Sequence, residues 1–159
     1  MTNTTVTPIL ELRLATKNYA GVPAIEEIDF SLTPGEIHAI VGENGAGKST
    51  LTKVMAGVVN LSSGQMLING EEVNPRTPSE ALALGVAMVF QETSLVPTMT
   101  VAQNLFLGQE RYFNRLRGIY IEAQQFMQSL QFDVDPTAVV SLLGAAKKQM
   151  VEIARAVLH

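Results

Sequence analysis

The stretch Gly42-Glu43-Asn44-Gly45-Ala46-Gly47-Lys48-Ser49-Thr50 has the spacing of a loop that holds phosphate: a glycine, any four residues, then Gly-Lys-Ser or Gly-Lys-Thr. Glycines at these places let the backbone curl so that consecutive N–H groups point inward, forming a concave anion site that side chains would crowd. Lys48 adds a point charge for the phosphates, and Ser49 offers a hydroxyl to Mg²⁺. A helix opening here aims the positive end of its dipole at the same oxygens. The alternative is a glycine-rich turn with no ligand. What separates the two is context, because the phosphate loop requires a strand before it and a helix after it.

Both elements are expected. Glu36 to Val41 is a short, mostly apolar run entering the loop and reads as a buried central strand, with His38 as a packed strand residue. From Lys48 to Gly57, Leu51, Val54 and Met55 fall at helical spacing, with Gly57 as the stop. Upstream, Leu10, Leu12 and Leu14 alternate with Glu11 and Arg13 between Ile9 and Lys17, the period of a half-buried strand. A turn at Ala20 to Pro23 leads to a second alternating run, Ala24 to Leu32, whose phase slips at Glu27. These two runs predict an antiparallel layer. Gln65 to Asn69 is a further strand, and Asn69-Gly70 is a strong hairpin signal. Pro78 to Leu84 reads as a short helix ended by Gly85, and Val86 to Phe90 as another buried parallel strand. Gln91 then stands at a strand's carboxyl end, where open α/β sheets gather their functional groups.

Beyond Gln91 the pattern turns helical. Thr100 to Leu107 places Val101 and Leu105 on one face, and Tyr120 to Leu130 places Ile121, Phe126 and Leu130 on one side. From Ala145 to Leu158 an amphipathic helix is expected, with Met150, Ile153, Ala154 and Val157 as its apolar side and Lys147, Lys148, Glu152 and Arg155 on much of the rest.

Composition bounds the reading. A chain of 159 residues, 47% hydrophobic, can bury one core with a small appended subdomain. Eleven basic against fifteen acidic residues give a net charge of −4, which argues against a surface that neutralises nucleic-acid phosphates. The absence of cysteine excludes a disulfide scaffold and a Cys-ligated metal, and fits a reducing cytosol. Met1 to Pro8 lacks the basic and apolar regions of a secretory signal. No apolar run approaches the ~18 residues that span a bilayer, so any membrane connection is expected through a partner.

Taken together, the loop and three later stretches, Gln91 to Pro97, Asn104 to Gly108 and Gln149 to Ala156, resemble the ATP-binding cassette of ABC transporters, and within it the first cassette of a monosaccharide importer ATPase. The resemblance implies an α/β P-loop fold of ABC-cassette type with an N-terminal antiparallel β layer and a helical insert. It divides the chain into a nucleotide-binding core over 1–91, a helical subdomain over 92–143 and a signature helix over 144–159. It implies ATP and Mg²⁺ as ligands, with residues 42–50 around the phosphates, Ser49 and Gln91 at the metal, and Lys48 and Gln91 acting in hydrolysis. Tyr19 is similar to the aromatic residue that stacks on adenine. The family's Leu-Ser-Gly-Gly-Gln signature aligns with Leu143-Gly144-Ala145-Ala146-Lys147, where only the leucine matches. Its Walker B strand is expected past His159, so little turnover is expected of these residues alone. Implied partners are integral membrane permease subunits, a periplasmic or extracellular sugar-binding protein, and a second cassette or dimer partner across the ATP site. The implied place is the cytoplasmic face of the membrane. A soluble ABC ATPase acting on a macromolecule, or a non-catalytic nucleotide-dependent module, are the other readings.

Overall fold

A computed structural model describes residues 7–90, 94–108 and 116–158, and the chain falls into two compact units, Met1–Val86 and Ala87–His159.

The first unit is built on an antiparallel sheet. Strands β1 (Leu10–Tyr19), β2 (Val22–Leu32), β3 (Ser63–Ile68) and β4 (Glu71–Val73) lie in the order β2-β1-β3-β4. Two-residue turns join β1 to β2 and β3 to β4. The second turn is Asn69-Gly70, both residues at positive φ (52° and 84°), which gives the turn a twist matching that of the strands it connects. The phase slip at Glu27 is a real irregularity: Glu27 sits at φ 47° and its N–H donates to the Thr16 hydroxyl at 2.9 Å. A second irregularity was not expected. Leu14 also adopts φ 47°, its N–H donates to Asp29 Oδ1 at 2.8 Å, and its side chain is 58% exposed. The bulge shifts the alternation by one, so Ala15 takes the buried place.

Helix α1 (Lys48–Met55) places Leu51 and Val54 in one core cluster with Leu10, Leu12, Ala15, Ile25 and Met66. The short helix α2 (Pro78–Ala83) starts as its sequence dictates: Thr77 caps it by accepting from Glu80 N, and Pro78 stands at its start. Residues 36–41 and 86–90, expected as buried strands, join no ladder among the described residues. Ile37 and Val41 are 99% and 90% exposed. An apolar run becomes a strand only when another strand supplies partners for its N–H and C=O groups. His38 accordingly is not packed inside a sheet. It lies at the surface with its ring edge against Phe30 and Nδ1 3.0 Å from Glu36 Oε1.

The second unit is helical, with α3 (Val101–Leu105), α4 (Leu116–Ser129), a 3-10 turn (Val140–Leu142) and α5 (Ala145–Leu158). Thr100 and Gln103 form a reciprocal capping box at the start of α3. The core gathers Val101, Leu105, Ile119, Ala123, Met127 and Val151. Two helix faces differ from the expected ones. On α4 the buried line is Ile119, Ala123 and Met127; the expected Phe126 and Leu130 pack against the same core, and only Ile121 of the expected three faces out. On α5 Val151 and Ala154 are buried while Ile153 and Val157 are not, and Glu152, expected on the polar side, is buried at 4% exposure. Both helices pack against α3.

Asn104 is fully buried on α3. Its Oδ1 accepts from Val96 N at 2.7 Å, and its Nδ2 donates to Val96 O at 3.1 Å and Thr100 O at 3.0 Å. Thus one amide pins the loop before α3 by both polar groups of a single residue. Asn104→Ala is expected to destabilise this unit by about 2–3 kcal/mol, because it strands a buried N–H and its carbonyl. Denaturant unfolding monitored by helical circular dichroism measures this, and an unchanged midpoint would show that water replaces the amide.

Candidate functional site

The nine residues from Gly42 to Thr50 form one loop that enters α1. Ala46 N donates to Glu43 O at 3.2 Å, closing a turn, and Leu51 N donates to Gly47 O at 2.9 Å as the first helical bond. Gly47 is the N-cap of α1, at φ 85° with no side chain to offer. The N–H groups of Lys48, Ser49 and Thr50 precede any helical acceptor and are left for another partner. These same three residues, with Ala24, Asn44, Gly45 and Gly47, line a cavity of about 250 Å³. Gly42, Glu43 and Ala46 shape the loop without lining that cavity.

Gly47 is required by space as well as by φ. A Cβ there would collide with the Ala24 carbonyl oxygen and come within 2.6 Å of Ile25 Cγ2. The loop is therefore seated directly on β2. This contact had no signal in the sequence, since Ala24 is a small residue in an alternating strand. The opening of β2 beside the loop belongs to the same hairpin as Tyr19, whose partner across the turn is Val22. Tyr19 ends β1 with 46% of its surface exposed, and Lys17 Nζ lies 5.3 Å from its ring centroid, within cation–π range.

Lys48 Nζ donates to Gly42 O at 2.8 Å and to Glu43 O at 2.6 Å. An ammonium has three donors, so the lysine staples the loop with two and has a third beyond these bonds. The Ser49 hydroxyl has no hydrogen-bond partner among the described residues. A small oxygen donor beside unpaired N–H groups and a cation suits a magnesium-bound polyphosphate, since Mg²⁺ takes oxygen ligands and relies on substrate phosphates for several of them. Elsewhere among the described residues, no group of three or more His, Cys, Asp or Glu is placed to hold a metal ion. Gln91 lies outside the described residues.

Upstream of the loop, Glu36 ties back the turn that leads into it. Glu36 Oε2 accepts from Thr33 N at 2.9 Å and Thr33 Oγ1 at 2.8 Å. The Thr33 backbone bond, then the Thr33 hydroxyl, then His38 hold its carboxyl below its ordinary value of 4.5. A depressed carboxyl contributes stability that is full above the unfolded value and lost as pH falls through the folded one. Acidification from about pH 5 to pH 3 is thus expected to lower the thermal midpoint more steeply in the parent than in Glu36→Gln. Parallel slopes for the two would remove Glu36 from the acid response.

No helix among the described residues is long and apolar enough to cross a membrane. The family model described as ABC transporter matches residues 25–159. The chain is 45% identical over 152 residues to a ribose import ATP-binding protein, RbsA 1, of Rubrobacter xylanophilus, covering 94% of this chain and 30% of the relative. It is 45% identical over 154 residues to the xylose import ATP-binding protein XylG of Geobacillus kaustophilus, covering 93% of this chain and 30% of the relative. The chain therefore spans about a third of the length of the curated relatives it matches. Among solved structures, a nucleotide-free ATP-binding cassette from an ABC transporter superposes with a TM-score of 0.80 at 23% identity, covering 95% of this chain and 65% of that one. The cbiO1 protein of Clostridium perfringens, part of the ABC transporter complex cbiONQ, superposes with a TM-score of 0.78 at 24% identity, covering 96% and 62%. At that identity these two establish the α/β P-loop fold alone. With that fold and a family match over most of its residues, this chain belongs to the ABC transporter family.

Proposed function

We propose that the protein is the ATP-hydrolysing subunit that energises import of a sugar through an ABC transporter. The observation that carries this reading is the loop Gly42–Thr50, with unpaired N–H groups at the start of α1 and Lys48 across its mouth. The names of the relatives, ribose and xylose import ATP-binding proteins, support sugar as the cargo.

In this reading the loop Gly42–Thr50 binds the phosphates, with the N–H groups of Lys48, Ser49 and Thr50 among its donors, and Lys48 balances their charge. Ser49 and Gln91 are the residues that would hold Mg²⁺, which when bound neutralises charge on the transferred phosphoryl group. Gln91 further orients the attacking water, and Tyr19 stacks on adenine, a contact worth about 1–3 kcal/mol in other base-stacking sites. Residues 1–91 act as the nucleotide-binding part, 92–143 as the helical part that answers to the membrane subunit, and 144–159 as the signature helix. The partners are permease subunits, a sugar-binding protein outside the membrane, and a second cassette across the nucleotide. The protein then works as a peripheral subunit at the cytoplasmic face.

The test is to purify the full-length protein from membranes and measure ATP hydrolysis beside the Lys48→Ala variant. Co-purification of an integral membrane protein, and sugar uptake that stops in the variant, are the expected results. Equal hydrolysis by the two would leave a non-catalytic module, and hydrolysis with no membrane partner would favour a soluble ATPase.

A further inference from the structure

The backbone of Tyr19 is fixed on both sides. Before it, Asn18 N donates to Ser62 Oγ at 3.0 Å and Ser62 N donates to Thr16 O at 2.8 Å, which ties the end of β1 to the residue that precedes β3. After it, Ala20 and Gly21, at φ 48° and 84°, close the two-residue turn onto Val22. The freedom left at this position is rotation of the ring about its own side-chain bonds, and exposed side chains exchange rotamers within nanoseconds. The contact that opposes this rotation is the Lys17 ammonium, 5.3 Å from the ring centroid and attracted by the negative face of the ring.

Lys17 is not engaged with a carboxylate. The ion pairs among the described residues join Arg13 to Glu11, His38 to Glu36 and Lys147 to Asp133, and Lys17 enters none of them. It is nonetheless half-buried. Residues two apart on a strand share a face, so Lys17 and Tyr19 continue the row of Ala15, which is fully buried in the core of this unit. Across the ladder Lys17 pairs with Ile25, and paired residues of antiparallel strands carry their side chains on the same face. Ile25 Cγ2 is also the atom that a Cβ on Gly47 would meet at 2.6 Å. Lys17 therefore stands one strand over from the seat of the Gly42–Thr50 loop, on the loop's side of the sheet. A long stem laid along this face brings its charge to the ring.

We infer that Lys17 is a positioning residue for the nucleotide base: its ammonium occupies one face of the Tyr19 ring and holds the ring still, which leaves the opposite face for a base to stack on. The inference rests on the stacking role proposed above for Tyr19. A ring ordered before the ligand arrives does not have to be ordered by it, so Lys17 raises affinity without touching nucleotide.

Equilibrium titration of the full-length protein with ATP and, separately, with tripolyphosphate, which presents phosphates without a base, tests this. Lys17→Met keeps the stem and removes the charge. It is expected to weaken ATP about three- to fivefold, as loss of an exposed cation–π contact does, and to leave tripolyphosphate unchanged. Lys17→Arg, whose guanidinium also stacks on aromatic faces, returns ATP affinity to within about twofold of the parent. On a Tyr19→Ala background, Lys17→Met is expected to cost nothing further. Equal losses for ATP and tripolyphosphate would mean that the charge acts on the phosphates, and would overturn the inference. So would an unchanged ATP affinity in Lys17→Met, no recovery in Lys17→Arg, or an undiminished loss on the Tyr19→Ala background. If Lys17→Met fails to fold, Lys17→Gln takes its place under the same criteria. Tyr19→Ala with unaltered ATP affinity would remove the stacking role and this inference with it. Failure of the ATPase reading itself would look different, as turnover that Lys48→Ala leaves intact.

Discussion

Lys48→Ala is expected to reduce ATP hydrolysis by the full-length protein about 10²- to 10³-fold, the range found when a preorganised donor to developing charge is removed. Two effects combine. The ammonium's remaining donor is lost to the phosphates, and so are the two bonds from Nζ to the carbonyls of Gly42 and Glu43. The second effect predicts a weaker grip on ATP as well as slower chemistry, so kcat falls and KM rises together. Lys48→Arg serves as the discriminating control. It keeps the charge but replaces a compact ammonium with a planar fork, which cannot repeat two short bonds to neighbouring carbonyls of a tight loop. If charge alone mattered, arginine would restore most of the rate; the geometry here predicts that it does not. Steady-state kinetics over a range of ATP concentrations, on all three proteins, gives the answer.

Gly47→Ala is expected to be as damaging by a different route. The left-handed conformation alone costs about 1–2 kcal/mol for a residue with a Cβ. The added carbon also meets the Ala24 carbonyl and Ile25, both backbone or tightly packed atoms that cannot swing aside. The loop must then lift from β2 or the strand must yield, and either change displaces the N–H groups at the start of α1. Loss of fluorescent-nucleotide binding together with a lowered thermal midpoint is the expected pair of results. Gly45→Ala provides the contrast: its φ is also positive, at 89°, but no atom lies within 4 Å of the added carbon. It should show the conformational cost without the collision. Equal midpoints for the two variants would mean that the Ala24 contact contributes nothing.

Much of this was legible in the sequence because it is local. The loop that enters α1, the Asn69-Gly70 turn, the start of α2 at Pro78 and the extent of α5 all depend on residues within a few positions of one another. What sequence reading missed depends on distant partners. Leu14 reads as one of three alternating leucines, and the Asp29 carboxylate that accepts from its N–H lies on the neighbouring strand. Ile37 and Val41 read as core, but a strand exists only by pairing, and nothing in residues 36–41 encodes a partner. Glu152 reads as part of a solvated face, since its partner Ser94 lies 58 positions earlier. Ala24 gave no sign at all, because its contribution is a main-chain carbonyl. The role proposed for Tyr19 beside the loop rests on resemblance alone. What the hairpin adds is a covalent path, across Ala20-Gly21, from that ring to the strand on which Gly47 rests.

The seat of Gly47 on Ala24 has one more consequence, which concerns thermodynamic coupling. A ligand that binds the loop only as it rests on Ala24 also selects against every state in which β2 has left the sheet, so its binding free energy is shared with the whole antiparallel layer. Reciprocally, a substitution that loosens the β1–β2 hairpin weakens the affinity of any ligand held by the seated loop, without touching that ligand. The sheet and the cradle are, in that sense, two readouts of a single equilibrium.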